Sequence, residues 1–418
     1  MSEKDSSDSA TKDGQSSANN ATQLENAHSN SNGTSQRPPE DMKHRQPFTL
    51  WLVDHFTWSW FTCTQSTGGI AALLSECPKQ FHGLETIGVI IFIFNIVLWL
   101  LFTLLMALRW YINPSTIRRC FTQPPECFFF GSFWLSAATM VINMQRYGVP
   151  HAGEWLITAV RVCFWIYAAC SILVTMGHVV VISKYTPFSA IAFAPPMFIL
   201  ILNAMLTGTV AAAIVETQPP HYRVSIMVAG VGYQGLGWIV CTMFLTLTMA
   251  NLLEKGWPAV NVRSGLFIMV GTSGFTIVAL IGIARGAPDD YGYFATHPMA
   301  KEILLVVATW VGVFMWVFSL WVFGLALLVN LAEFVKRDEH GKWKVNVQFT
   351  NTAWALIFPN VGWAISTIFL GQELESEGIL WVSVAMIILL VAFWLLELFL
   401  MARAVVRSIF VDARIKMA

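Results

Sequence analysis

Five short clusters of small or helix-breaking residues recur along this chain: Ser66-Thr67-Gly68-Gly69, Gly131-Ser132, Pro195-Pro196, Gly271-Thr272-Ser273-Gly274 and Pro359-Asn360. Successive clusters lie 63 to 88 residues apart. Each interrupts an apolar run that holds no Asp, Glu, Lys or Arg. The chemistry such residues offer is neutral hydrogen bonding. Hydroxyls and amides donate to an anion. A helix broken by Gly or Pro also presents free backbone N–H groups and the positive end of a half-helix dipole. A cation path would instead show Asp or Glu along its lining. The candidate anion ligands are therefore Ser66, Thr67, Gly68, Gly69, Thr272, Ser273 and Asn360. Further hydroxyls and amides in the same runs are Thr62, Ser136, Thr139, Asn143, Asn203, Thr207, Thr276, Ser366 and Thr367. Two arginines, Arg263 and Arg285, bracket the run around Gly271. Arg285 is the better substrate candidate, because it falls on the side poorer in basic residues.

The elements that must position these groups follow from the charge pattern. Ten spans are free of charged residues: 55–75, 86–108, 127–145, 162–183, 185–215, 224–253, 264–284, 303–332, 345–372 and 378–396. Each has at least 19 residues, and about 20 helical residues cross the hydrocarbon core of a bilayer. The interrupted spans are the odd ones. Irregular backbone at membrane depth survives where it is buried in protein or lines a wet cavity. The expected fold is thus all-α and polytopic, with ten transmembrane helices in five hairpins. Five kinked inner helices line a central pore and five smoother helices surround them.

Composition agrees. Hydrophobic residues make up 56% of the chain and charged residues 12%, about half the usual charged share of a soluble domain. The formal net charge of zero gives no argument for nucleic-acid binding. The seven cysteines show neither C-x-x-C spacing nor a metal-type Cys/His cluster. The odd spans hold no Ser/His/Asp set, metal cluster or paired carboxylates, so an enzyme is not expected, nor a cofactor. Glu397, late in the last span, is an intramembrane carboxylate and so a functional candidate. His55 is a candidate titrating group at an entrance.

Residues 1–45 are polar, and a disordered cytoplasmic tail is expected there. The transporter domain is expected over 46–408, followed by a short cytoplasmic C-terminus at 409–418. With both termini inside, sixteen Lys and Arg fall in inner segments and five in outer loops, as the positive-inside rule requires. Asn20 and Asn32 match the glycosylation pattern but would then face the cytoplasm.

Several segments resemble the fungal malic-acid permeases. The stretch from His55 to Gly69, HFTWSWFTCTQSTGG, is similar to their first helix. Further matches, in the same order, are NPSTI at 113–117, GEW at 153–155, TQPPH at 217–221, QGLG at 234–237, IARGA at 283–287 and FPNVG at 358–362. The wider group is the tellurite-resistance/dicarboxylate transporter family, with bacterial TehA, plant slow anion channels and fungal sulfite pumps. The resemblance implies a plasma-membrane homotrimer in the lipid bilayer. Each protomer would carry malate and related C4-dicarboxylates through its own pore, and a sulfite exporter or monovalent-anion channel on the same fold is the alternative. It also implies a phenylalanine gate in the ninth helix, which falls at Phe358, directly before Pro359. The chain departs from the permeases at Gly271-Thr-Ser-Gly274, where they carry a Pro-rich Gly-Pro-Pro.

Overall fold

The computed structural model describes residues 47–185, 194–260, 262–332, 335–337, 343–345 and 350–408. The expected tail 1–45, Asn20 and Asn32, and the C-terminal segment 409–418 lie outside them. The described chain is almost wholly helical. Its main helices are α1 (Pro47–His55), α2 (Phe61–Ser75), α3 (Leu84–Ile112), α4 (Ser115–Thr122), α5 (Phe130–Asn143), α6 (Glu154–Tyr185), α7 (Ile199–Ile214), α8 (Pro220–Lys255), α9 (Ile268–Arg285), α10 (Tyr293–Thr296), α11 (Ala300–Leu331), α12 (Phe358–Glu373) and α13 (Glu377–Arg407). A small antiparallel ribbon pairs β1 (Val335–Arg337) with β2 (Trp343–Val345) between α11 and α12.

Two classes of helix alternate. Five are short, at 14 to 18 residues: α2, α5, α7, α9 and α12. Five are long, at 29 to 36 residues: α3, α6, α8, α11 and α13. The short helices are the buried ones. The apolar windows containing α7 and α9 are 94% buried, and those of the long helices only 17 to 28%. A helix apolar on every side must be covered by protein or lipid. The short helices are covered by protein, and the long ones turn rows of Leu, Ile, Val and Phe outward. Among the described residues nine helical segments are long and apolar enough to cross a membrane. The tenth expected span, α2, has only 15 residues.

The short helices close a ring: α2 packs on α5, α5 on α7, α7 on α9, α9 on α12, and α12 back on α2. Each is preceded by a 3₁₀ turn, at Trp58–Trp60, Glu126–Phe129, Pro195–Phe198, Arg263–Phe267 and Asn351–Leu356. These five turns also touch one another in ring order. The five inner helices therefore start at the same end and run the same way.

This corrects the expected position of the breaks. The backbone is α-helical straight through Gly68-Gly69 and Gly271–Gly274. Pro359 occupies the first turn of α12, and Pro195 and Pro196 open the turn before α7. A proline there forfeits no intrahelical hydrogen bond. The irregularity sits at the ends of the inner spans, not in the middle. The glycines serve packing instead. A Cβ on Gly274 would lie 2.6 Å from the Trp363 backbone nitrogen, and one on Gly271 would lie 2.9 Å from Pro359 Cα. Small residues let α9 and α12 meet backbone to backbone, as in close membrane-helix contacts.

A belt of threonines fixes the rotation of the ring. Thr67, Thr139, Thr207, Thr276 and Thr367, one per inner helix, are all buried. Four meet a polar group from a long helix. Trp394 Nε1 donates to Thr67 (3.1 Å), Gln234 Nε2 to Thr276 (2.7 Å), and Trp316 Nε1 to Thr367 (2.8 Å). Ser171 and Thr207 share a hydroxyl–hydroxyl bond of 3.3 Å. Thr139 and the Asn95 amide instead converge on the open side of Gly68. Each such bond contributes about 1 kcal/mol net, and its loss would leave a buried polar group unpaired.

Candidate functional site along the axis of the inner ring

The ring encloses two cavities on its axis, and Phe358 lines both. The first lies toward the C-terminal ends of the inner helices. Gly69, Thr139, Thr209, Phe275, Val361 and Ile365 form much of its wall, and Glu76 and Arg146 stand at its edge. The second lies toward the 3₁₀ turns, among Thr62, Gln65, Leu135, Ile199, Asn351 and Pro359. Their volumes are about 30 and 20 Å³, room for a water or two. A four-carbon diacid fits in neither cavity.

Sequence order explains why Phe358 reaches the axis. The Asn351–Leu356 turn ends at Ile357, whose φ of −91° and ψ of −70° re-aim the chain before α12 begins. Phe358 is the first residue of that helix and is 5% exposed. Its ring lies over α2, where a Cβ on Gly69 would sit 3.0 Å from Phe358 Cδ2. On the other side it meets Phe275 of α9, with ring centroids 5.0 Å apart. A Cβ on Gly362 would come within 2.7 Å of the Phe275 ring, so Gly362 makes the space that Phe275 fills. Two rings are thus held between three helices at this level of the axis.

The predicted ligand residues are in the ring, but most bond to other helices or to their own. Ser66 donates to the Trp354 carbonyl (3.3 Å), and Thr67 accepts from Trp394. Thr272 donates to the Met269 carbonyl (2.7 Å), and Ser273 pairs with Ser319 of α11 (2.5 Å). Asn360 donates to the Leu356 carbonyl (2.7 Å), while its Oδ1 has no partner. Gly68 faces Thr139 and Asn95; Gly69 faces Phe358. Of these, Gly69 alone touches an axial cavity; Pro359, beside Asn360, touches the other.

Two polar residues that the sequence did not single out line the axial cavities with an atom unpaired. Thr209 Oγ1, in the first cavity, and Gln65 Oε1, in the second, have no hydrogen-bond partner among the described residues. They stand on opposite sides of Phe358. Phe275 and Arg146 were likewise missed. Thirty phenylalanines offer no local mark that singles out Phe275. Arg146 follows the third span by one residue, the only available signal.

Charge differs between the two ends. At the C-terminal end Arg146 pairs with Glu76. Arg285 Nε donates to Glu373 (2.6 Å), Nη1 to Gln372 (3.0 Å) and Nη2 to the Phe369 carbonyl (3.4 Å), with the guanidinium over the Phe369 ring. Cations there also complement the negative ends of the helix dipoles. At the other end five helix N-termini converge, and no residue lining the second cavity is ionisable. Arg263, at that end, is buried and donates to the Pro258 carbonyl (2.9 Å). Arg109 and Glu126 form a buried two-pronged ion pair that ties α3 to the turn before α5. His55 is exposed at the end of α1.

Comparison with known proteins agrees with this architecture. Residues 55–402 match the family model described as voltage-dependent anion channel, SLAC1. The chain belongs to that family. It is 32% identical to the malic acid transport protein of Schizosaccharomyces pombe over 84% of this chain and 79% of the relative. A putative malic acid transport protein of the same yeast is 30% identical over 84% of this chain and 80% of the relative. A sulfite efflux pump of Arthroderma benhamiae is 25% identical over 78% of this chain and 84% of the relative. The chain is thus a multi-pass membrane protein of an anion-transport family, not an enzyme.

Proposed function

We propose that this family member carries C4-dicarboxylate anions, chiefly malate, through the axis of its inner ring, with Phe358 as the gate and Pro359 setting its position. The observation that carries the reading is the placement of Phe358 between two axial cavities. An apolar constriction excludes a hydrated anion by dewetting. Swinging the ring off Gly69 would join the cavities. The Thr209 hydroxyl and the Gln65 side-chain amide N–H would then donate hydrogen bonds in exchange for lost hydration, one on each side. The converging helix N-termini attract an anion without a fixed countercharge that would trap it. Ser66, Thr67, Gly68, Gly69, Thr272, Ser273 and Asn360 act in this reading through the walls that move, and Arg285 acts at the mouth.

Malate as substrate is supported by the two yeast relatives. The sulfite pump supports the second reading, a sulfite or monovalent-anion path on the same frame. We further propose a homotrimer in the plasma membrane with both termini cytoplasmic. The outward apolar rows of the long helices support the membrane setting, the sixteen-to-five bias of basic residues the cytoplasmic termini, and the family resemblance the trimer and the plasma membrane. Radiolabelled malate uptake into proteoliposomes, competed by sulfite and by nitrate, tests the substrate. Saturable malate uptake that sulfite inhibits poorly is expected. Sulfite or nitrate flux without malate flux would overturn the assignment and favour the second reading.

A further inference from the structure

The inward face of α13 is a stripe of Ser383, Ile387, Leu390, Trp394, Glu397 and Met401. Glu397 is the one ionisable member. It is 8% exposed, its Oε2 has no hydrogen-bond partner, and no ion pair reaches it among the described residues. It lies ten residues, about 15 Å, before the end of the helix. A carboxylate buried at membrane depth without a partner is strongly disfavoured, whereas a neutral acid fits there.

The groups around it leave it alone. α13 packs on α12, α2 and the Asn351–Leu356 turn. The titratable side chain of α2 is the Cys63 thiol, which is fully buried. The ionisable residue of α12 is Glu373, at its far end and paired with Arg285. The Asn351–Leu356 turn holds none. On α13 itself Arg403 and Arg407 are exposed.

Glu397 also sits beside the gate's support. One turn away, Trp394 holds Thr67 of α2. Two residues on, Gly69 of the same helix bears against the Phe358 ring. Ser66 ties α2 to Trp354, in the turn that leads into Phe358. A shift of α13 against α2 therefore reaches the gate through contacts already made.

We propose that Glu397 is a proton-binding site within the membrane, and that its occupancy biases the closure of the path at Phe358. The proton passes between a carboxylate oxygen and water, and only an O–H bond forms or breaks. With the proton bound, α13 packs on α2 as seen here and the ring is held. With it released, the carboxylate draws water or moves α2, and the hold on Phe358 loosens. Acid thus favours the closed path and alkali opens it. The consequence for transport rests on reading Phe358 as the gate; the proton site itself does not.

The test uses the full-length protein in liposomes and nitrate, an anion that does not titrate in the working range. Nitrate flux of the unaltered protein should rise roughly five- to tenfold from acid to mildly alkaline pH, an ordinary size for coupling between two sites. Glu397→Gln, isosteric with the neutral acid, should give a flat profile at the acid value, and Glu397→Asp should keep the rise. Glu397→Gln combined with Phe358→Ala should be flat and high. Difference infrared spectra of the unaltered protein should show a protonated carboxyl band that titrates with the flux, a reading independent of any variant. A Glu397→Gln profile that follows the unaltered one, or an absent band, would overturn the proposal. Phe358→Ala alone without extra flux would overturn the gate reading while leaving the infrared titration to judge Glu397.

Discussion

At one end of the inner ring five helices begin, and at the other five helices stop; the two ends present different electrostatic fields. The starting end has a neutral lining, Thr62, Gln65 and Asn351 among apolar residues, under five converging helix N-termini. The stopping end carries full charges in opposed pairs, Glu76 with Arg146 and Glu373 with Arg285. A dipolar end attracts anions with a modest field that no single side chain owns. A paired end has a field that one substitution can reverse. The Phe358 ring, beside Phe275, lies between these two environments.

The strongest way to break the contrast is to join the ends. Phe358→Ala should raise passive anion flux at least roughly tenfold at matched expression, equivalent to about 1.4 kcal/mol off the barrier. Truncating a core phenylalanine would instead cost about 3–5 kcal/mol of stability and lower transport. Assembled Phe358→Ala protein with no added leak in voltage clamp would refute the gate. A smaller effect sharpens the charged end. Arg285→Ala leaves Glu373 facing the mouth and should raise the apparent KM for malate, whereas Glu373→Gln frees Arg285 and should lower it. Each change should be roughly fivefold, or about 1 kcal/mol, for a pair at a solvated mouth. Arg285→Lys should rescue only partly, because an ammonium lacks the planar fork. Shifts of the same sign in both variants would remove Arg285 from substrate contact. The smallest effect compares the walls. Gln65→Leu and Thr209→Val each delete one hydrogen-bond donor beside an axial cavity, an amide N–H and a hydroxyl, and should slow malate flux a few-fold, about 1 kcal/mol apiece. If either variant transports normally at matched expression, that group does not meet the ion.

Much of the frame was legible in the residues. Charge-free runs gave the spans, and the alternation of clusters such as Gly-Thr-Ser-Gly and Pro-Pro with smoother runs separated inner from outer helices, although the outer helix α8 also carries QGLG at 234–237. What those clusters do was not legible. A glycine in an apolar helix serves equally as a break or as a close contact, and the choice lies in a partner far along the chain. Gly274 is decided by the backbone at Trp363, and Gly68 by Thr139 and Asn95. Phe358 stood out because a proline follows it and because of the family resemblance. Its companion Phe275 carries no such mark, and its role appears only once α9 lies beside α12.

The shortness of the closure has an electrical consequence. The cavities approach Phe358 from both sides, and the inner helices are about half as long as the outer ones. If both cavities wet when the ends open, the transmembrane voltage falls mainly across one layer of aromatic rings instead of the whole bilayer. An anion moving past that layer then traverses most of the potential drop in a few ångströms, at about 2.3 kcal/mol per charge for each 100 mV. Voltage would act on the ion at the gate itself, with no sensor helix required, and a current–voltage curve on the unaltered protein reads that directly.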